Sequence, residues 1–532
     1  MVFELQFRNW FRLPLLSFLA ASLFLSSAQA DQGRAQEYLR NAQSFYHQGL
    51  YFKAARFAYA ANEEDSSVRA EAYSWITLGL THAGLYNASV YFFIRTLQTG
   101  NKTAIRRVLP QTPEYLVRLG ADLIRPYLIR YTTYEDYDPT SRSAYLYALG
   151  KDAILSGDEK RAVGYLNAIR QDSQIWPYAL EMRGTAFAIM GQNDDALGDF
   201  RECQRQSASL TDGIDSDTPR YIKTKRDSQD LKARCVAGEA RTLYQAENFQ
   251  LADSTYDHIP KASLVWPDIL FEQAWNSFGK QEYNRTLGKL VSYKSPALSF
   301  VFNPEVDVLR AQTYLALCLY DDANLTINEF NGKYVEVGEQ VKRFVERNQS
   351  NLPIFYQFGK EALKASLYSK SDMNRMADRF VRGPYFQSLV SAEQDLFREK
   401  AAIAQFSAVG NDSDRRGLSG FSAFLANVLG WREKTIRLLG GAFVKNSFLD
   451  YHQALIADFE KMAFIKLEML KRAKDQLLFH KNASTDRTRG NIIPSRRDDQ
   501  FYWSFNGEFW NDELGDYVFG LESRCKGPND AS

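Results

Sequence analysis

Side chains able to carry catalysis are few and badly spaced. The five histidines, His47, His82, His258, His452 and His480, are scattered, and no H-E-x-x-H pair exists to hold a zinc ion. Phe278-Gly279-Lys280-Gln281 has the Gly-Lys of a phosphate loop but neither the upstream glycine nor the following Ser/Thr. Gly417-Leu418-Ser419-Gly420 lacks the spacing of a nucleophile elbow. Glu181, Asp194 and Asp195 are the nearest approach to an acid–base pair, and on a helical hairpin they read as a solvated face. The expectation is a protein that is not an enzyme, with no catalytic residue, cofactor or metal. Four cysteines remain: Cys203, Cys235, Cys318 and Cys525. No C-x-x-C occurs, so thioredoxin-like redox chemistry has no support. Cys203 and Cys235 flank a polar stretch and could close it with a disulfide worth about 3–4 kcal/mol in the chain-entropy picture. Unpaired buried thiols are the competing arrangement.

Charge and address narrow the setting. The chain has 532 residues, 24% charged, with a net charge of +1. Arg8 and Arg12 precede an apolar run, Leu13 to Leu25, which ends in Ser26-Ser27-Ala28-Gln29-Ala30. That is the build of a cleavable signal peptide over residues 1–30 with the cut after Ala30. Without those residues acids and bases balance, which argues against a nucleic-acid binder, since such a surface needs a basic surplus. The expected location is the periplasm, with outer-membrane association open. An uncleaved membrane anchor is the alternative.

What must position any binding residues is a repeat. In residues 184–203 a small residue, Gly184, is followed by Phe187, Gly191, Ala196, Phe200 and Cys203. The pattern recurs with Gly150, Gly157 and Ala162; with Ala240, Phe249, Ala252 and Tyr256; and with Ala274, Tyr283 and Thr286. It recurs again with Ala311, Tyr314, Tyr320, Ala323 and Phe330, and near the start with Ala42, Gly49, Tyr51 and Ala54. The leading small residue steps from 150 to 184 and from 240 to 274, 34 residues each time, then to 311. Small side chains at that period let two helices of a hairpin touch where they cross.

Over residues 36–332 the chain resembles the tetratricopeptide repeat family. The resemblance implies an all-α fold, a TPR-type α-solenoid winding as a right-handed superhelix, with a concave groove that takes a protein or peptide partner. The family's groove positions fall on Tyr147, Lys151, Glu181, Arg234, Arg241, Tyr244, Phe271, Trp275, Phe278 and Gln312. Trp275 and Tyr244 are the expected aromatic anchors. Three segments, FEQAWNSFGKQEYNRTLGKL (271–290), PEVDVLRAQTYLALCLYDDA (304–323) and YWSFNGEFWNDELGDYVFGLESRC (502–525), also resemble exported repeat proteins of gliding and predatory myxobacteria-like Gram-negative bacteria. By that analogy the chain would serve a cell-envelope or motility-related complex.

The rest of the plan is as follows. Residues 31–333 form the solenoid, with an irregular helical pair at 98–140 and a polar insertion at 207–231 expected to be loop or disorder. Residues 334–481 are helical, with a long-helix hairpin projecting from the solenoid; the segment 417–431 could instead touch a membrane. Residues 482–532 are a polar linker followed by an aromatic tail that docks back, with Cys525 available to pin it. The leading function is a non-catalytic scaffold for a protein or peptide. The alternative is an envelope-binding protein gripping peptidoglycan or outer-membrane lipid through its C-terminal third.

Overall fold

The computed structural model describes residues 16–263, 265–366, 371–409, 420–472, 496, 498 and 500–525. Residues 410–419 and 473–481 of the expected helical region, and most of the polar linker that follows it, lie outside these residues. The fold is all-α and of solenoid type. The described residues separate into two compact units, 1–145 with 394–433, and 146–393 with 434–532.

The backbone records the repeat more uniformly than the side chains do. At seven hairpin turns one residue takes the left-handed conformation: Gly49, Gly84, Gly157, Gly191, Glu247, Gln281 and Cys318. Each turn closes with the same pair of bonds. At Gly191, for example, its N–H reaches the Ala188 carbonyl (3.0 Å) and the Gln192 N–H reaches that of Phe187 (2.9 Å). This double cap satisfies the last carbonyls of the first helix and reverses the chain. The small crossover residues sit where two backbones meet. Ala42, Ala54, Ala162, Ala196, Ala240, Ala252, Ala274, Ala311 and Ala323 are fully buried, and a Cβ on Gly150 would come within 2.7 Å of Leu166.

In the first unit the hairpins are α1 (Leu16–His47) with α2 (Tyr51–Glu64), and α3 (Arg69–His82) with α4 (Tyr86–Gln98). Helix α1 runs through Ala30. The expected helical pair at 98–140 is instead three short helices, α5 (Lys102–Val108), α6 (Thr112–Leu119) and α7 (Ala121–Tyr131). Pro110, Pro113 and the left-handed Gly120 interrupt the run.

In the second unit α8 (Arg142–Leu155), which begins in the first, pairs with α9 (Glu159–Asn167). Next come α10 (Trp176–Ile189) with α11 (Asn193–Gln206), and α12 (Pro219–Gln245) with α13 (Phe249–Tyr256). The last two hairpins are α14 (Trp266–Gly279) with α15 (Tyr283–Val291), and α16 (Glu305–Ala316) with α17 (Tyr320–Arg347). The polar insertion is therefore corrected: a single 3-10 turn, Ser207–Thr211, leads into a 27-residue α12. Thr218 caps that helix at the Tyr221 N–H, Pro219 suits its first turn, and Leu231 is buried. Cys203 and Cys235 are joined, so the bridge fastens α11 to α12.

The boundary at 333 is also corrected, because α17 runs on to Arg347. Beyond it lie α18 (Leu352–Lys364), α19 (Asp372–Val381), α20 (Pro384–Val409) and the 52-residue α21 (Phe421–Arg472). Helices α20 and α21 run antiparallel, as expected: within the second unit Phe386 stacks on Phe443 and Arg437 meets Glu393, and within the first Lys400 meets Glu433. They do not project. In the second unit Phe448 of α21 packs on Phe344, Phe358 and Phe380, and Phe459 on Phe330, because Ile436, Val444, Leu455 and Met462 need burial. In the first, Phe421, Leu425, Val428 and Leu429 of the segment considered for membrane contact are buried, while residues 417–419 of it lie outside the described residues. No helix among the described residues is long and apolar enough to cross a membrane.

The tail folds back onto α15. β1 (Trp503–Ser504) pairs in parallel with β2 (Tyr517–Val518). The Asn284 side chain acts as a strand edge, donating to the Leu521 carbonyl (3.0 Å) and accepting from its N–H (2.9 Å). Gly288 leaves room for the Tyr517 carbonyl where any Cβ would collide, and Cys525 is bonded to Cys318.

Candidate peptide-binding groove

The groove residues expected from the repeat register all lie in the second unit, and they divide into three groups. Helix α8 carries Tyr147 and Lys151, both partly buried; Tyr147 packs against the core of α10. Neither lines a cavity described below.

Glu181 and Arg234 are used by each other. Arg234 of α12 donates Nε–H to Oε1 of Glu181 on α10 at 2.6 Å and Nη2–H to Oε2 at 3.1 Å. Burial works against the Arg234 charge, but Glu181 outweighs it and holds the guanidinium firmly protonated. The pair ties neighbouring hairpins together, so both residues are engaged in a repeat-to-repeat clamp. Arg241 does the same one hairpin later, forking onto Glu272 of α14 with bonds of 2.9 and 2.7 Å. The Tyr256 hydroxyl adds a third donor to Glu272 at 3.0 Å. Burial first, then the Glu272 charge, pushes the Tyr256 phenol far above its ordinary range.

Of the remaining residues Gln312 lies on α16, and Phe271, Trp275 and Phe278 form an aromatic ladder on α14. Phe271 and Trp275 approach edge to face at 6.4 Å, Trp275 and Phe278 at 5.7 Å, and Phe278 and Tyr283 at 5.4 Å. Tyr244 packs on Phe249 at 5.4 Å. Phe271, Trp275 and Phe278 are four and three residues apart on α14, so a single helix face presents all three rings.

Two cavities open on this ladder and share Trp275 as a wall. One, about 480 Å³, is lined by Arg241, Tyr244, Tyr256, Phe271, Glu272 and Trp275. The other, about 490 Å³, lies between Trp275, the α16 residues Val308, Gln312 and Leu315, and the α21 residues Lys461, Phe464, Ile465 and Glu468. Lys461 spans its rim to Glu305 at 3.0 Å. Each has the size of a pocket for one or two large side chains, apolar inside with a few polar groups at the edge. The α21 wall was not foreseen. Its signal is an apolar surplus: Met462, Ile465 and Met469 fill the core, so Phe464, Leu467 and Leu470 fall on the open side, Phe464 being 71% exposed. Glu272 was also missed, although it stands two residues before the crossover Ala274. Among the described residues no group of three His, Cys, Asp or Glu could hold a metal ion.

No known family model matches the chain, and no curated protein matches it either. Among solved structures it is similar to the crystal structure of the P58(IPK) TPR domain, at 13% identity and a TM-score of 0.19, covering 75% of this chain and 99% of that one. At so low a score the likeness adds nothing to the fold, which rests on this chain's own seven turns and buried crossover residues.

Proposed function

We propose that this chain is an exported, non-catalytic scaffold that captures a peptide segment of a partner protein in the groove beside α14. The observation that carries the reading is the placement of Trp275, which walls two apolar cavities at once. A segment offering two large apolar side chains could seat one on each side of the indole, and buried aromatics of this kind dominate interface energetics. The Arg241–Glu272 and Lys461–Glu305 pairs at the edges supply polar contacts that fix register. Two bridges that leave no free cysteine among the described residues, together with the Ala28-Gln29-Ala30 site, support the periplasm as the place of action. A role in an envelope or motility-related complex rests on the three segments quoted above.

The test is site-specific photo-crosslinking in envelope extract, with the reactive group at Gln312 or Phe464 and, as reference, at the exposed Leu155. A discrete adduct formed from Gln312 and Phe464, absent from Leu155 and lost in Trp275→Ala, supports the reading. Adducts indifferent to Trp275 sink it.

A further inference from the structure

The docked tail carries a second surface, chemically unlike the groove. Of its aromatic side chains Phe505, Tyr517 and Phe519 are buried, whereas Phe501, Trp503 and Trp510 are 66%, 49% and 57% exposed. The two tryptophans are held by one residue. Trp503 is the strand partner of Tyr517, and the Tyr517 hydroxyl accepts the Trp510 N–H at 2.7 Å. Phe501 lies two residues before Trp503. The arrangement is fastened at its far end by the Cys318–Cys525 bond and along its length by Asn284, so the rings are displayed on a fixed backbone.

The same segment is acidic. Residues 500–525 contain Glu508, Asp512, Glu513, Asp516 and Glu522 against a single cation, Arg524. Lys261 pairs with Asp516 at 3.1 Å and also donates to the Asp512 backbone carbonyl at 2.8 Å, while the side chains of Glu508, Asp512 and Glu522 are exposed and have no ion pair among the described residues. Exposed indole faces beside unpaired carboxylates are complementary to one class of ligand, a cation with a flat or alkyl body. Rings attract it through their quadrupoles and the carboxylates neutralise it. The same charge repels an anionic lipid surface.

We propose that the tail is a docking platform for an arginine- and lysine-rich segment of a protein partner, with Trp503 and Trp510 stacking on its cations and Glu508 and Asp512 pairing with them. The site is separate from the groove beside α14 and does not depend on that groove being used.

The probe is a fluorescein-labelled decapeptide of alternating Arg and Gly, titrated by anisotropy into the full-length oxidised protein. The same peptide with Glu for Arg, and a chitin tetrasaccharide measured by calorimetry, serve as comparators. The Arg peptide is expected to bind, to weaken at least tenfold in Trp503→Ala/Trp510→Ala and in Glu508→Gln/Asp512→Asn, and to weaken severalfold between 50 and 300 mM salt. The second variant alters only exposed carboxylates, so its loss cannot come from an undocked tail; mapping of the Cys318–Cys525 bond checks docking in the first. Equal affinity for the Glu peptide, an Arg-peptide affinity unchanged in both variants, or preferential Trp503-dependent binding of the saccharide would each overturn the proposal.

Discussion

Arg234 and Glu181 lie 53 residues apart in the chain and meet through two parallel hydrogen bonds, joining the first helix of one hairpin to the first helix of the next. The fork holds neighbouring hairpins in register.

That pair is partly buried, with about a quarter to a third of each side chain exposed. Solvent screening therefore limits its worth, and Arg234→Ala is expected to cost on the order of 1–2 kcal/mol, mostly through the carboxylate left behind. Glu181→Gln should cost less. A double-mutant cycle read by urea unfolding should return a coupling above about 0.5 kcal/mol. Strict additivity would mean the fork contributes nothing to the stack.

Trp275 packs edge-on against Phe271 and Phe278 while facing both cavities. Trp275→Ala should weaken peptide capture by about 2 kcal/mol or more, some thirtyfold in Kd. Its half-buried ring also supports the ladder, so thermal stability should fall by about 1 kcal/mol. Tyr244→Ala should show the same pattern at smaller size, since it lines one cavity only. Calorimetry against the crosslinked peptide measures the first effect and unfolding the second. A stability loss far above the binding loss would make Trp275 a core residue.

The hairpins themselves were legible because their crossover residues must be small and recur in step. Their turns were legible only in part. Gly157 and Gly191 announce the left-handed position, whereas Glu247, Gln281 and Cys318 occupy it with nothing in their side chains to say so. The charged run at 219–230 looked like a loop because its helix buries few side chains before Leu231; capping by Thr218 and the bridge from Cys203 make it a helix instead. Cys525 was legible as a pin for the tail, but its partner Cys318, 207 positions away, was not, and the α21 wall left only its apolar surplus, since such distant pairings leave no local periodicity.

The turn positions give a direct test of that account. Non-glycine residues in the left-handed region carry a local cost of about 1 kcal/mol, offset in part by glycine's greater freedom when unfolded. Gln281→Gly should therefore stabilise by about 0.5–1 kcal/mol, and Gly157→Ala should destabilise by a similar amount. Denaturation midpoints of the two variants should move in opposite directions. Equal signs would show that the turn geometry is not what those positions select for.

Glu399 supplies a pH dependence to the first unit. Its carboxylate accepts the N–H groups of Asn87 (2.7 Å) and Ala88 (3.0 Å), capping α4 from α20, while Arg432 Nε–H holds the Asn87 side-chain oxygen at 3.0 Å. Burial raises the Glu399 carboxyl to about 7, with the two backbone donors pulling the other way. A folded value above the unfolded one means the folded state holds the proton more tightly. The contribution is complete below about pH 4.5 and is lost as pH rises through 7. Relative to Glu399→Gln, which does not titrate, the wild type should lose on the order of 2–3 kcal/mol between pH 5 and pH 8. Exchange protection of the first turn of α4 reports it locally. A gap between the two proteins that widens in the wild type's favour at pH 8 would show that the helix terminus dominates burial.

The two bridges differ in access. Cys203 and Cys235 are fully buried, whereas Cys525 is exposed at the protein surface. Thiol attack needs an approach to sulfur, so mild reductant on the folded protein should open Cys318–Cys525 first, and alkylation should mark Cys525 long before Cys203. Opening it frees the end of the aromatic tail. The buried bridge closes a sequence separation of 32 residues, and its removal in Cys203→Ala/Cys235→Ala should cost about 3–4 kcal/mol by loop-closure entropy. Peptide mapping after timed reduction gives the order, and denaturant unfolding gives the cost. If Cys203 is labelled as fast as Cys525 without unfolding, the packing of α11 against α12 is looser than its buried cysteines require.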